Sequence, residues 1–231
     1  IHPDSGGAGR WRGGVGQKMT VEILRDGGSV VPRGMERMRF PAWGVAGGRP
    51  SAPFRMVVDN GRAPPSPLAK VDQFPANKND LVTVMMPGAS GYGDPYERDT
   101  QDVCRDVVEG FVSREAALRD YAVVIDDDGS VDATATEKVR RDRARSNPDF
   151  DFGPEREAWE RVFDDATMCE LNRRLFQLPR SLRYETRRRI FNHAVPNLPL
   201  AGAPPSLTEV LTDDDAARAR LRKALDTFLG P

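Results

Sequence analysis

"MMPGASGYGDPYERD", residues 85–99, marks where this chain stops reading as strand and starts reading as helix. A short apolar run, Leu81 to Met86, leads into Pro87-Gly88. Gly91-Tyr92-Gly93-Asp94-Pro95 follows, and then a burst of charge. Glycine admits backbone conformations closed to other residues and lets a backbone or ligand approach closely. Proline fixes its own φ and keeps the residue before it out of helix. The stretch predicts a shaped, non-helical loop between a strand and a helix. Such loops bind a phosphate, line an active site, or turn a corner.

On the N-terminal side the chain is punctuated by glycine: 16 of its 21 glycines precede residue 94. Short β-prone runs alternate there with turn signals, and no segment keeps a helical period. Thr20 to Leu24, the turn Asp26-Gly27-Gly28 and Ser29 to Val31 predict a hairpin. Phe54 to Val58 leads to Asp59-Asn60-Gly61, a turn with glycine at positive φ. Leu68 to Phe74 and Leu81 to Met86 supply two further strands.

Beyond the loop the period changes. Asp99 or Thr100 can cap a helix carrying Val103, Val107 and Val108 on one side, which Gly110 ends. Ser113 caps a second helix through Ala116, Ala117 and Leu118, Tyr121 to Ile125 reads as a strand, and "DDDGS" (126–130) as a turn. That turn lacks the twelve-residue calcium loop closed by glutamate. From Asp132 the chain is charged and helical, and Trp159, Val162 and Phe163 form an apolar stripe. A Pro-rich linker near 195–206 precedes a capped amphipathic helix from Leu207 or Asp213 to Leu229. The fold class is α+β: a β-rich part over 1–125 and a charged helical extension over 126–231. The final helix is expected to pack on another chain, with Arg183 and Arg187 at the rim, because short amphipathic helices are marginal until their apolar face is buried.

Composition narrows the function. A chain of 231 residues with 39% apolar and 30% charged residues holds one large domain or two small ones. A net charge of −1 argues against a dedicated nucleic-acid binder, which needs a positive surplus on one face. Cys104 and Cys169 form no CxxC, so they read as two reduced thiols of a cytoplasmic protein. No apolar run approaches the roughly 20 residues of a membrane span, and no signal peptide opens the chain. The start at Ile1-His2-Pro3-Asp4, without methionine, reads as a trimmed chain or as one piece of a longer polypeptide.

Candidate chemistry is sparse. "GGAGRWRGGVG" (6–16) fits neither GxxxxGK[ST] nor GxGxxG, and no helix follows it, so it reads as a glycine-rich β corner and not as a phosphate cradle. Arg10 and Arg12 alternate about Trp11 and share one face of a strand, able to hold a carboxylate or phosphate or to pack against a partner. Arg180, Arg183 and Arg187 recur at helical spacing, a solvated or subunit-facing surface. His2 and His193 have no ligand-spaced neighbours. The residues by themselves yield a globular unit with no self-sufficient active site.

Three stretches carry a resemblance. "PDSGGAGRWRGGVG" (3–16), "RFPAWGVAGGRPSAP" (39–53) and "GYGDPYERDTQDVCRDVVEGFVSREAALRDYAVVI" (91–125) together resemble the C-terminal region of the hydantoinase B/oxoprolinase family, and "FDFGPEREAWE" (150–160) is similar to the longer tails of some members. One departure stands out: Gly88-Ala89-Ser90-Gly91 replaces an all-glycine run. The resemblance implies a part of the B-type subunit of an ATP-dependent hydrolase of cyclic amides (hydantoin, oxoproline or lactam type). An A-type partner would bind ATP with Mg2+ and activate the amide by phosphorylation, turning a poor leaving group into a good one. A divalent metal such as Zn or Mn would be held outside this chain, in the missing upstream part of the B-type subunit. As alternatives ranked below the hydrolase, the resemblance admits part of a ketone carboxylase of acetone or acetophenone type, or a non-catalytic assembly module. The substrate- or loop-lining candidates are Ser5, Gly6, Gly7, Arg10, Arg12, Gly91, Tyr92, Gly93 and Asp94; the chain by itself is expected to be inactive and poorly soluble. If the GYGDP loop is a structural corner, Asp94 accepts hydrogen bonds from nearby backbone N–H groups.

Overall fold

The computed structural model describes residues 1–62, 64–69, 71, 73–143, 149–196 and 205–230. It is a mixed α+β structure with two compact units, Ile1–Gly153 and Pro154–Pro231. In the first unit the strands are β1 (Lys18–Glu22), β2 (Gly28–Val30), β3 (Gly44–Val45), β4 (Arg55–Asp59), β5 (Ser66–Pro67), β6 (Phe74–Ala76) and β7 (Leu81–Met85). A single 3-10 turn (Pro95–Glu97) then leads to α1 (Thr100–Val108), α2 (Arg114–Tyr121), α3 (Ala133–Asp142) and β8 (Phe150–Asp151).

The main sheet has the order β1-β7-β4-β5, every pair antiparallel. Its register sets Met19 and Val21 beside Val84 and Val82, and these beside Met56 and Val58, so period-two alternation builds one apolar face. Met56 and Val82 are buried on that face, while Met19 and Val21 on the edge strand stay half exposed. The expected turn at Asp59-Asn60-Gly61 is present, with Gly61 at φ 65°.

The expected hairpin between 20–24 and 29–31 does not form. β1 pairs with β7 and β2 with β6, so residues 18–30 run as one bent ladder against 74–85. Five residues (23–27) separate Glu22 from Gly28 where four (77–80) separate Ala76 from Leu81, which places a bulge at the Asp26-Gly27 bend. Asp26 Oδ1 accepts from the Lys78 N–H (3.1 Å) and Asn77 Oδ1 from the Gly27 N–H (3.2 Å), pinning the bend to the opposite strand. The strand expected over 68–74 is also displaced: β5 ends at Pro67 and β6 begins at Phe74.

Helix starts fall where the polar caps put them. Asp99 accepts from the Gln101 N–H (2.8 Å), Ser113 from Ala116 (3.1 Å) and Asp132 from Ala135 (2.8 Å), each stabilising by about 1 kcal/mol. Val103, Val112, Ala116, Ala117, Tyr121 and Val123 bury together. Val108 points away from this core and is exposed, one residue off the buried stripe. No strand spans 121–125. Helix α2 continues through Tyr121, Ala122 turns left-handed (φ 53°), and a single Ile125–Val131 bridge closes the acidic turn. The first unit extends past residue 125 because the Val124 N–H bonds Thr136 Oγ1 (3.0 Å), Arg140 Nη2 donates to the Arg98 carbonyl (2.9 Å), and β8 pairs with β3.

The second unit is helical: α4 (Pro154–Val162), α5 (Asp165–Leu175), α6 (Arg180–Ala194), α7 (Leu207–Val210) and α8 (Asp214–Leu229). Trp159 stacks on Phe163 at 3.9 Å and meets Phe191 edge-on at 5.4 Å. Leu207, Leu221 and Leu225 are buried in the same cluster as Leu171 and Ile190. The final helix therefore buries its apolar face within its own unit, not on another chain. Arg183 and Arg187 are not a rim either: Arg183 donates to the Leu178 and Phe176 carbonyls (2.9 and 3.0 Å), and Arg187 lies over the Phe191 ring. Most of the Pro-rich linker near 195–206 lies outside the described residues. Among the described residues no helix is long and apolar enough to cross a membrane.

Candidate functional site

Residues 5–16 thread between two other segments, 44–52 and 86–93, and the three are joined backbone to backbone. Gly7 N donates to Ala89 O (2.8 Å), Arg49 N to Ala8 O (2.7 Å) and Gly91 N to Arg49 O (3.0 Å). Trp11 and Tyr92 exchange both bonds (2.9 and 3.0 Å), and Gly93 N reaches Val45 O (3.0 Å). A Cβ on Gly7 would run into the Arg49 carbonyl, one on Gly13 into that of Ala89, and one on Gly91 into that of Ala8. Glycine recurs here because main chain packs directly on main chain. The same bonds dispose of a phosphate cradle at 6–16, since the Gly7 and Gly13 N–H groups are already held by carbonyls.

The GYGDP loop is a corner of this mesh. Gly93 takes φ 75°, and Asp94 Oδ1 accepts from the Tyr96 N–H (2.9 Å), capping the 3-10 turn that Pro95 opens. Ser5 is fully buried, donating through Oγ to the His2 carbonyl (2.6 Å) and accepting from the Gly16 N–H (2.8 Å). It is a strut, not a nucleophile, because no base reaches its hydroxyl.

Beneath the mesh lies a buried ion cluster. Asp106 follows Val103 by three residues and so sits on the inner side of α1. Its carboxylate accepts from Arg12 Nε (3.0 Å) and Nη2 (3.2 Å) and from Arg98 Nη2 (2.9 Å). Arg12 also lies over the Phe111 ring, and Arg98 Nη1 donates to the Arg10 carbonyl (3.1 Å). Removing one partner from such a buried set costs about 3–5 kcal/mol, because it leaves an uncompensated charge. Arg98 Nε and the Tyr121 hydroxyl are buried beside it with no hydrogen-bond partner among the described residues. Burial pushes the Tyr121 hydroxyl well above the ordinary tyrosine value, so it stays neutral.

The arrangement holds shape and offers no proton-transfer pair. Three charge-assisted donors occupy the Asp106 carboxylate. Among the described residues no group of three or more His, Cys, Asp or Glu side chains converges to hold a metal ion. Of the candidates, Ser5, Gly6, Gly7, Gly91, Gly93 and Asp94 lie in the mesh or its corner. Arg12 is drawn into the ion cluster, and the carboxylate it holds belongs to its own chain. Arg10 is exposed and reaches Glu97 at 3.7 Å, and the Tyr92 ring faces outward. Arg98 and Asp106 escaped the sequence reading. Asp106 carried one signal, an acid on the apolar stripe of an amphipathic helix; Arg98 carried none.

The comparisons fall on this mesh. Residues 1–95 match the hydantoinase B/oxoprolinase family model, and that span contains all three of its segments. The caprolactamase subunit beta of Pseudomonas jessenii is 34% identical over 142 residues, 59% of this chain and 24% of that protein. An uncharacterized protein of Methanocaldococcus jannaschii is 36% identical over 144 residues, 61% of this chain and 25% of its own length. The crystal structure of ATP-dependent caprolactamase from Pseudomonas jessenii superposes with a TM-score of 0.51 at 30% identity, covering 60% of this chain and 24% of that one. Through this segment the chain is similar to the hydantoinase B/oxoprolinase family. It spans about a quarter of the length of the curated relatives it matches.

Proposed function

We propose that this chain is the C-terminal part of the B-type subunit of an ATP-dependent cyclic-amide hydrolase. The observation that carries the reading is the coincidence of the family match, residues 1–95, with a mesh in which Gly7, Gly13 and Gly91 admit no side chain. The 34% identity to a caprolactamase subunit supports a lactam or a related cyclic amide as substrate. An A-type subunit binds ATP with Mg2+ and activates the amide oxygen; the B-type subunit completes ring opening by water. Any Zn or Mn ion of the assembly is held outside this chain, whose described residues offer no ligand set for it. The role left to these residues is to hold a wall of the site rigid: the mesh fixes the backbone, and the Arg12–Asp106–Arg98 cluster locks it to α1. The assembly works in the cytoplasm, where Cys104 and Cys169 remain thiols.

The test is an assembly containing this chain, the rest of the B-type polypeptide and an A-type subunit, supplied with MgATP and, separately, caprolactam, hydantoin and 5-oxoproline. Ring-opened acid is expected from at least one of them, with one ADP and one phosphate per ring. Failure on all three, with ATP-driven fixation of bicarbonate into acetone, would replace the hydrolase reading with a carboxylase.

A further inference from the structure

The outer face of the glycine mesh carries a row of aromatic side chains that its register lines up. Trp11 pairs with Tyr92, Tyr92 with Val45, and Val45 with Phe150. Directly paired residues send their side chains to the same face of a sheet, so the four stand side by side across four strands. One pleat along, Trp43 and Phe152 meet with ring centroids 6.1 Å apart, and Phe152 lies 6.0 Å from Phe150. Arg12 leaves the same strand toward Asp106, which fixes the opposite face as the buried one. Trp11 is 64% exposed, Tyr92 55%, Phe150 50% and Trp43 43%. A large aromatic side chain buries about 150–250 Å², so four at half exposure present roughly 400 Å² of contiguous ring surface. That is as large as the patches soluble monomers leave uncovered, and such patches mark contact sites.

We propose that this aromatic face seats the remaining part of the same B-type polypeptide, as a contact within one subunit. The inference rests on the reading that this chain is a portion of such a subunit. The 142–144 residues that match are only 24–25% of those relatives, so most of their fold lies outside these residues. Three of the four exposed rings, Trp11, Trp43 and Tyr92, stand in the family-matched span. Area then decides between occupants. A second copy docked ring to ring, or a separate A-type subunit, would bury about 800 Å² in total, below the roughly 1,200–2,000 Å² of stable interfaces. A segment of the same polypeptide needs less, because association entropy is not lost when the two surfaces are joined.

Hydroxyl-radical footprinting read by mass spectrometry tests this at the four rings. It is applied to the 231-residue chain, to that chain joined to the rest of the B-type subunit, and to the joined subunit with the A-type subunit added. Oxidation of Trp11, Trp43, Tyr92 and Phe150 is expected to slow at least fivefold on joining and to change no further when the A-type subunit binds. Tyr184, exposed in the second unit, is the internal reference. In the Trp11→Ser/Tyr92→Ser variant the isolated chain should melt as the parent does, while Trp43 and Phe150 lose their protection in the joined subunit. Protection that appears only with the A-type subunit, protection of the isolated chain that grows with its concentration, or no protection at all would each overturn the proposal. Protected rings in an assembly that opens no cyclic amide would uphold the docking face and overturn the functional reading instead.

Discussion

Gly13 and Gly14 are neighbours in the chain and opposites in environment. A Cβ on Gly13 would strike the Ala89 carbonyl, whereas one on Gly14 would meet nothing within 4 Å. Neither has a positive φ, so the difference is close approach alone. Gly13→Ala is expected to cost about 1–3 kcal/mol or more by forcing two backbones apart. Gly14→Ala should stay within about 0.5 kcal/mol of the parent. Urea unfolding of the two variants decides it: equal midpoints would mean the mesh is looser than its hydrogen bonds indicate. The run "GGAGRWRGG" announced that glycine mattered there. Which glycine mattered was not legible, because the carbonyls that obstruct Gly7 and Gly13 belong to Arg49 and Ala89, far along the chain. The same distance hid the ion cluster, where Arg12 meets a carboxylate 94 residues on.

Helices were legible and strand pairings were not, for one physical reason. A cap is satisfied by backbone two or three residues away, so Asp99, Ser113 and Asp213 announce their helices locally. A strand's partner is non-local, and Asp26-Gly27 looks the same in sequence whether it closes a hairpin or bends a long ladder. The caps also carry a pH dependence. The Thr167 N–H holds Asp164 below its ordinary 3.8, and the Ser206 N–H holds Glu209 below its ordinary 4.5. A carboxylate with a lowered folded-state pKa contributes stability that is complete above its unfolded value and is lost as pH falls through the folded one. The melting temperature should therefore be flat from neutral pH down to about 5 and fall below about 4. Asp164→Asn/Glu209→Gln keeps capping groups that do not titrate, so it should lose less on acidification than the parent. An identical acid loss in the variant would show that other carboxylates govern it.

At the scale of the whole molecule, the amphipathic tail showed which residues are buried but not what buries them. Its stripes, Trp159, Val162 and Phe163 with Leu221 and Leu225, close on each other in a helical unit. The first unit contains the span that matches the family model, residues 1–95, and it is built to be stiff: main chain on main chain, an ion cluster underneath, aromatic rings above. The chain covers about a quarter of the relatives it matches. The central claim is that it acts only as part of a larger catalytic assembly. The most direct measurement follows [14C]caprolactam with MgATP over the purified 231-residue chain, and then over the same chain joined with the rest of the B-type subunit and the A-type subunit. The account predicts background conversion in the first case and ATP-dependent ring opening in the second. Sustained turnover by the isolated chain would contradict it.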